Sequence, residues 1–371
     1  MFSSFDQQMM RRALELAALG RYTTHPNPRV GCVVVQGERI VGEGWHRKWG
    51  ELHAEPLALA AAGDAARGST VYVTLEPHSY HGRTPPCTDA LIRAGVKQVI
   101  CGALDANPQV HGQGVAQLRA AGIEVASGLL EDEARELNLG FEKRMRTGLP
   151  RVIVKIAASL DGRVALANGK SQWITSEAAR ADVQSLRAES SAVLTGIETV
   201  LADDPRLTVR DPAIDMLGRQ PLRVVLDSKL RTPATAALLH EPGETLILTD
   251  ASLATGSEAQ TLQQAGATVL GLPLDAMRRI DLNHALRALG ERQCNDVLLE
   301  AGPTLAGRVL ESGLADELVL YFAPKLLGPD ARPLLRLPAI ETLDDGLQFD
   351  LRRTGRIGPD VKLVLRPQRR D

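Results

Sequence analysis

Short apolar strands alternate with helical segments along all 371 residues, and the alternation restarts once. It stops at "RMRTGLPRV" (144–152), where a helical pattern runs into Gly148 and Pro150. The chain therefore divides into one expected domain over 1–148 and a second over 149–371, which agrees with a length too great for one typical core. The first part predicts a helix over 6–19, strands over 30–36 and 39–46 around Gly37, and an Ala-rich helix over 54–66. A strand at 69–76, a helix at 86–95, a strand at 97–103, a helix near 112–121, a strand at 123–128 and a helix at 130–145 follow. The second part predicts a strand from residue 151, a helix over 176–188, and strands near 192–195, 222–228, 244–250, 268–273, 296–301 and 316–323. A hairpin, "LQFDLRRTGRIGPDVKLVLRP", closes it. Both patterns describe layered α/β domains with buried sheets. No internal repeat or low-complexity linker interrupts them.

The net charge is −2 with both signs interspersed, and aromatic residues make up 3%. Neither value suits the basic groove and stacking aromatics of a nucleic-acid or base-editing protein. No stretch approaches the ~20 apolar residues of a membrane span. Four cysteines over this length do not make a disulfide scaffold. The amphipathic N-terminus, broken by Asp6 and Glu15, does not read as a signal peptide. The expectation is a cytoplasmic protein with reduced thiols, acting on small molecules.

Six of the eight histidines fall between His25 and His111. Within that span, "HAE" (53–55) starts a helix, with Pro56 in its first turn. "TLEP" (74–77) closes a strand, and "GRTPPC" opens another helix at Cys87. Helix starts offer positive dipole ends, which favour a thiolate at Cys87 and an ionised Glu55. H-x-E followed by a P-C…C loop is the zinc-dependent nucleobase-deaminase pattern. That chemistry uses three protein ligands and one water whose pKa falls to about 7, with a neighbouring carboxylate to shuttle protons. A lone H-x-E is weak; the combination is much stronger. His53, Glu55, Pro77 and Cys87 match, while the first cysteine of the loop is replaced by His78. His81 is a rival ligand if the loop shifts register.

In the second part, "LLEAGPTLAG" (298–307) reads as a strand, a Gly-rich turn and a helix start able to hold phosphate. No G-x-G-x-x-G follows a strand, which argues against a Rossmann domain. Lys155, Ser159 and Asp161 in "VKIAASLDG", and Asp203, Asp204, Arg206 and Arg210 in "TVLADDPRLTVR", are polar groups among apolar strand ends. Each could equally be a turn or surface residue.

Taken together, "HPNPRVGCVVV", "GEGWH", "HAE", "YVTLEP…GRTPPC", "DANPQVHGQG", "KIAASLDGR", "SQWIT", "TVLADDPRLTVR" and "EAGPTLAG" resemble, in order, the bifunctional deaminase/reductase family of riboflavin biosynthesis. That family joins a cytidine-deaminase-like three-layer α/β domain to a dihydrofolate-reductase-like domain. The resemblance implies hydrolytic deamination of a diamino-phosphoribosylamino-pyrimidinone, then NADPH reduction of the ribosyl group to ribityl. It implies one Zn2+ per chain on His53, His78 and Cys87, with Glu55 as proton shuttle. Asn27, His46 and Arg83 match the deaminase substrate pocket. Ser171, Arg187, Leu207, Arg210 and Glu300 match the reductase substrate site, and Ala157, Trp173, Thr199, Asp203, Ser228 and Gly302 the cofactor site. Two arginines suit a phosphate, and Lys155 is a candidate proton donor.

The chain departs from the family at two positions together, His78 for cysteine and Tyr80 for histidine. Zinc accepts imidazole at about 2.0–2.1 Å against about 2.3 Å for sulfur, but a neutral ligand leaves the site one unit more positive. A reductase-only enzyme with an impaired deaminase site is therefore the alternative. Association into a homo-oligomer is expected by analogy with deaminase-like domains.

Overall fold

The computed structural model describes residues 2–82 and 84–368. They form two compact units, Met1–Leu149 and Pro150–Asp371. Among the described residues, no helix is long and apolar enough to cross a membrane.

The first unit runs α1 (Ser4–Ala18), β1 (Gly31–Gln36), β2 (Arg39–Trp45), α2 (Ala54–Ala62), β3 (Thr70–Leu75), α3 (Cys87–Ala94), β4 (Gln98–Ala103), α4 (Gln113–Ala120), β5 (Glu124–Ser127), α5 (Glu131–Leu137) and α6 (Leu139–Thr147). Its sheet has the order β2-β1-β3-β4-β5. β1 is antiparallel to both β2 and β3, and β3, β4 and β5 are parallel. β2, β3, β4 and β5 therefore all end at one edge, and α2, α3 and α4 all start there.

The strands alternate their side chains between two cores. Cys32, Val34, Val71, Val73, Val99 and Cys101 pack with Ala54, Ala58, Leu91 and Leu118 of α2, α3 and α4. Val33, Val35, Tyr72 and Ile100 pack with Met9, Met10, Ala13 and Leu16 of α1. This is the period-2 signature of a sheet covered on both faces.

Two expectations are corrected. The helix expected over 130–145 is two helices, because Asn138 has a different task. Its Oδ1 accepts from Arg29 N at 2.8 Å, and its Nδ2 donates to Arg29 O at 3.0 Å. The single strand from residue 151 turns back at Gly162, whose φ of 69° suits glycine.

The second unit runs β6 (Arg151–Ser159), β7 (Arg163–Ala165), α7 (Glu177–Glu189), β8 (Ala192–Gly196), α8 (Ile197–Asp203), β9 (Leu222–Leu226), β10 (Thr245–Asp250), α9 (Ser257–Gln264), β11 (Ala267–Leu272), α10 (Leu282–Glu291), β12 (Asp296–Glu300), α11 (Pro303–Glu311), β13 (Glu317–Ala323), β14 (Arg332–Pro333), β15 (Phe349–Ile357) and β16 (Asp360–Pro367). The large sheet has the order β11-β10-β9-β8-β12-β6-β13-β16-β15, and β7 pairs with β14. All strands from β11 to β13 are parallel, and β16 and β15 add an antiparallel edge. The chain leaves β6, builds outward from β8 to β11, then returns to insert β12 between β8 and β6. In open α/β sheets, a crevice forms at the carboxyl ends where strand order reverses.

Behind the carboxyl end of β3, Glu76 is 3% exposed and accepts from the amides of Asp105 (3.2 Å), Gly112 (3.0 Å) and Val115 (3.1 Å). It pins the segment 105–112 and the first turn of α4. Beside it, burial pushes the Asp105 carboxyl up to about 6, with the Glu76 charge adding to the effect. The folded state thus holds a proton on Asp105 that the unfolded chain has released, from about pH 4 to about pH 6. Stability falls as pH rises through that window and stays reduced above it. Asp105→Asn should therefore stabilise the chain by about 1–3 kcal/mol at pH 8 and by much less at pH 4.5 in thermal unfolding. Equal gains at the two pH values would exclude this origin.

Candidate functional site

His53 is the N-cap of α2, and Glu55 lies in that helix's first turn. Cys87 opens α3. The loop from β3 brings His78 between them. His53 Nδ1 lies 3.5 Å from Cys87 Sγ. The His53 and His78 rings stand with centroids 4.6 Å apart. One ligand atom from each of His53, His78 and Cys87 lies within 4.8 Å of the others. A tetrahedral zinc separates its ligand atoms by about 3.3–3.8 Å, so the trio is of the right kind and scale. His81 is exposed and is not in the cluster. Arg83 lies outside the described residues.

The electrostatics of the trio fit a cation. Burial brings His53 down to about 3, with His78 and His46 contributing, so the imidazole is neutral and free to ligate. His78 is also lowered, first by burial, and its buried Nδ1 has no hydrogen-bond partner. Burial and the Glu55 charge push the Cys87 thiol well up, and burial raises Glu55 too. The thiolate expected from the helix start is thus opposed by desolvation, which outweighs the dipole here. A divalent ion would reverse the balance. Glu55 is 3% exposed; it hydrogen-bonds Cys87, while its Oε2 has no partner. Buried carboxylate and imidazole atoms without partners are costly unless something fills the site.

Two residues beyond the motif hold the loop. Thr88 N donates to His78 O at 3.3 Å, and Thr88 Oγ1 donates to Gln117 Oε1 at 2.7 Å. Neither carries a sequence signal, since a Thr in a first turn and a Gln on a helix face are ordinary. Next to the trio, His46 lies 5.0 Å from His53 by ring centroids. His46 Nδ1 faces Leu52 O at 3.1 Å, and Asn27 Nδ2 faces His46 Nε2 at 3.1 Å. Donation from Nδ1 leaves Nε2 to accept from the amide, which sets the orientation of Asn27.

In the second unit, the residues gather at the strands' carboxyl ends. Glu300 closes β12 opposite Lys155 of β6. Arg187 of α7 grips Glu300 at 2.5 and 3.0 Å, and Lys155 Nζ stands 3.8 Å away. Burial alone would raise Glu300, but the charges of Arg187 and Lys155 bring it down to about 2. Arg187 and Arg210 both donate to Thr208 O, at 3.1 and 3.3 Å. Leu207 between them is buried, with a φ of 55°. Ser171 Oγ donates to Asp203 Oδ1 at 3.4 Å.

Of the remaining candidates, Ala157 lies in β6, Thr199 in α8 just after β8, and Ser228 in the turn after β9. Trp173 is 65% exposed, with the Arg180 guanidinium 4.6 Å from its ring centre. Gly302 caps α11 without a side-chain bond, and a Cβ there would meet open space. Packing within the protein therefore does not require this glycine. The open helix start fits a phosphate-bearing cofactor.

Known proteins agree with both halves. A family model described as the cytidine and deoxycytidylate deaminase zinc-binding region matches residues 3–103, and one described as the RibD C-terminal domain matches residues 150–363. The riboflavin biosynthesis protein RibD of Escherichia coli is 51% identical, covering 97% of this chain and 99% of its own length. That of Haemophilus influenzae is 47% identical, covering 99% of each. The structure of Acinetobacter baumannii RibD superposes with a TM-score of 0.91 at 45% identity, over 98% of this chain and 99% of its own. A Thermotoga maritima structure described as a diaminohydroxyphosphoribosylaminopyrimidine deaminase/5-amino-6-(5-phosphoribosylamino)uracil reductase gives a TM-score of 0.85 at 33% identity, over 98% and 99%. The chain belongs to the RibD family of riboflavin-biosynthesis proteins, in which a cytidine-deaminase-like domain precedes a reductase domain of dihydrofolate-reductase-like fold.

Proposed function

We propose that this chain carries out two consecutive steps of riboflavin biosynthesis. The first unit deaminates a diamino-phosphoribosylamino-pyrimidinone, and the second reduces the resulting aminouracil's ribosyl group with NADPH. The observation that carries the reading is the His53, His78 and Cys87 trio beside a buried carboxylate atom with no partner. The trio is a possible metal site, so the reductase-only alternative is not favoured.

His53, His78 and Cys87 would hold one Zn2+ per chain, with imidazole at 78 doing the work of a thiolate. Zinc bound there supplies Lewis acidity that lowers the pKa of a water to about 7. Glu55 does the proton work. Its Oε2 takes a proton from the attacking water and returns one to the departing amine, so that water and the C–N bond become a carbonyl and ammonia. Burial, which raises the Glu55 pKa, suits a group that must hold a proton and then release it. Neutral His46 and Asn27, locked together, hold the pyrimidine edge. Arg83, outside the described residues, is assigned to the same pocket on the family resemblance alone.

In the second unit, Ser171, Arg187, Leu207, Arg210 and Glu300 bind the phosphoribosyl substrate. Ala157, Trp173, Thr199, Asp203, Ser228 and the turn at Gly302 hold NADPH, which supplies the hydride. The protein's own part is position and charge. Lys155 is lowered by burial and held up again by Glu300, which leaves it able to give a proton to the opening ribose oxygen. Association into a homo-oligomer belongs to the same reading, on the analogy with deaminase-like domains.

Three measurements check it. Protein purified without added metal should carry one zinc per chain, and chelation should stop ammonia release while NADPH oxidation on the aminouracil continues. His78→Ala should weaken zinc binding by more than about a hundredfold, and His78→Cys should strengthen it. Glu55→Gln should cut ammonia release by about 10²–10⁴-fold at unchanged zinc content, and Lys155→Met should cut NADPH oxidation by a similar factor at unchanged ammonia release. Absence of both zinc and ammonia, with reduction intact, would overturn the deaminase half.

A further inference from the structure

Arg206 stands one turn of loop before Arg210, and its role is assigned by none of the motifs. It is exposed, and its Nε pairs with Glu241 Oε1 at 3.3 Å. The other carboxylate oxygen, Glu241 Oε2, accepts from Thr208 Oγ1 at 3.3 Å. Thr208 is the residue whose carbonyl receives both Arg187 and Arg210, and its Oγ1 also takes Arg210 Nη1 at 3.1 Å. Two guanidinium groups thus meet on one threonine, and a third, that of Arg206, is joined to it through Glu241.

The position of Glu241 is built rather than incidental. Arg223, 1% exposed, spends its guanidinium on the backbone around it. It donates to the carbonyls of Glu241 (3.0 Å), Pro242 (2.6 Å) and Gly243 (2.8 Å), and to Thr245 Oγ1 (3.0 Å). A buried arginine is costly unless its donors are satisfied, and here they are satisfied by the loop that carries Glu241.

The charges do not balance. Arg187 and Lys155 share Glu300, Arg206 has Glu241, and Arg210 hydrogen-bonds only the neutral atoms of Thr208 among its named partners. Four cations face two carboxylates, a surplus of two positive charges. Arg187 and Arg206 both press on Arg210 strongly enough to lower it after burial. A phosphate monoester carries about −1.5 to −2 charges near neutral pH, which matches that surplus. Arg206 is the cation of this group held by a single exposed contact, and so the one freest to move.

We propose that Arg206 is a specificity-determining residue for the substrate's phosphate, parked on Glu241 in the free protein and transferred to the phosphate when substrate enters. The proposal rests on the reductase reading above. Glu241 is then a holding partner that competes with the phosphate.

The test uses the full chain, NADPH oxidation, and two substrates: the phosphoribosylamino-uracil and its dephosphorylated ribosyl counterpart. Arg206→Ala should raise KM for the phosphorylated substrate about tenfold, with kcat changed by less than about twofold, and leave KM for the dephosphorylated one unchanged. Arg206→Lys should restore most of the loss. Glu241→Gln, which keeps an acceptor for Thr208, should lower KM for the phosphorylated substrate by about two- to threefold. Ribose 5-phosphate as a competitive inhibitor should weaken in step with Arg206→Ala. An unchanged KM ratio between the two substrates in Arg206→Ala, or a Glu241→Gln variant that raises KM as Arg206→Ala does, overturns the proposal. A wild-type chain that reduces neither substrate instead overturns the reductase reading, and the proposal with it.

Discussion

Helix α2 touches strand β2 backbone to backbone, and the candidate metal site depends on that contact. A Cβ at Gly44 would lie 2.5 Å from Ala54 O, and one at Gly42 would lie 2.2 Å from Ala58 O. Both are far inside van der Waals contact, so only glycine lets the helix sit this low. His46 follows the end of β2, and His53 and Glu55 begin α2. The same close approach therefore sets both walls of the pocket. A second contact of this kind fixes the other side: a Cβ at Gly114, in the first turn of α4, would meet Pro77 O at 2.0 Å. Pro77 is the residue before His78.

Each unit places its candidate site at the carboxyl ends of parallel strands in a mixed sheet, yet they handle charge in opposite ways. The first gathers neutral or neutralised donors in a buried space, with burial pushing His53 and His78 down and Cys87 and Glu55 up. Such a set is poorly stabilised alone and well stabilised around a cation. The second unit keeps its groups charged, and Glu300 is held ionised by Arg187 and Lys155. A site of this kind is already organised before ligand arrives, at the cost of crowding like charges. The first arrangement suits a resident ion; the second suits an anionic substrate that comes and goes.

The sheets were legible because Val, Ile and Leu cluster in short runs between Gly and Pro, and the period-2 alternation survives into both cores. The helices were less so. "IETVLAD" forms α8, but the Asp-Asp-Pro that follows reads as a turn; α9 starts from Gly256 with no side-chain cap, while α10 does carry a cap signal, Asp281, whose side chain accepts from His284 N at 2.9 Å. The break at Asn138 could not be read, because its cause is a backbone 109 residues earlier. His53 and Cys87 were readable from residue types, since H-x-E and P-C mark helix starts, but the third member stood open between His78 and His81 until the geometry grouped His78 with them. The supports were not: Thr88, Glu76 and Arg223 hold backbone atoms, which leave no trace in a residue pattern, and Gln117 only braces the Thr88 hydroxyl from another helix.

The clasp between Asn138 and Arg29 also has a consequence for the extent of the first unit. The match to the deaminase zinc-binding region ends at residue 103, but Asn138, which bonds both backbone groups of Arg29, lies 35 positions beyond that end. Asn138 is synthesised after His53, His78 and Cys87, so the end of the match at residue 103 is not the end of the unit that holds them, which runs to Leu149.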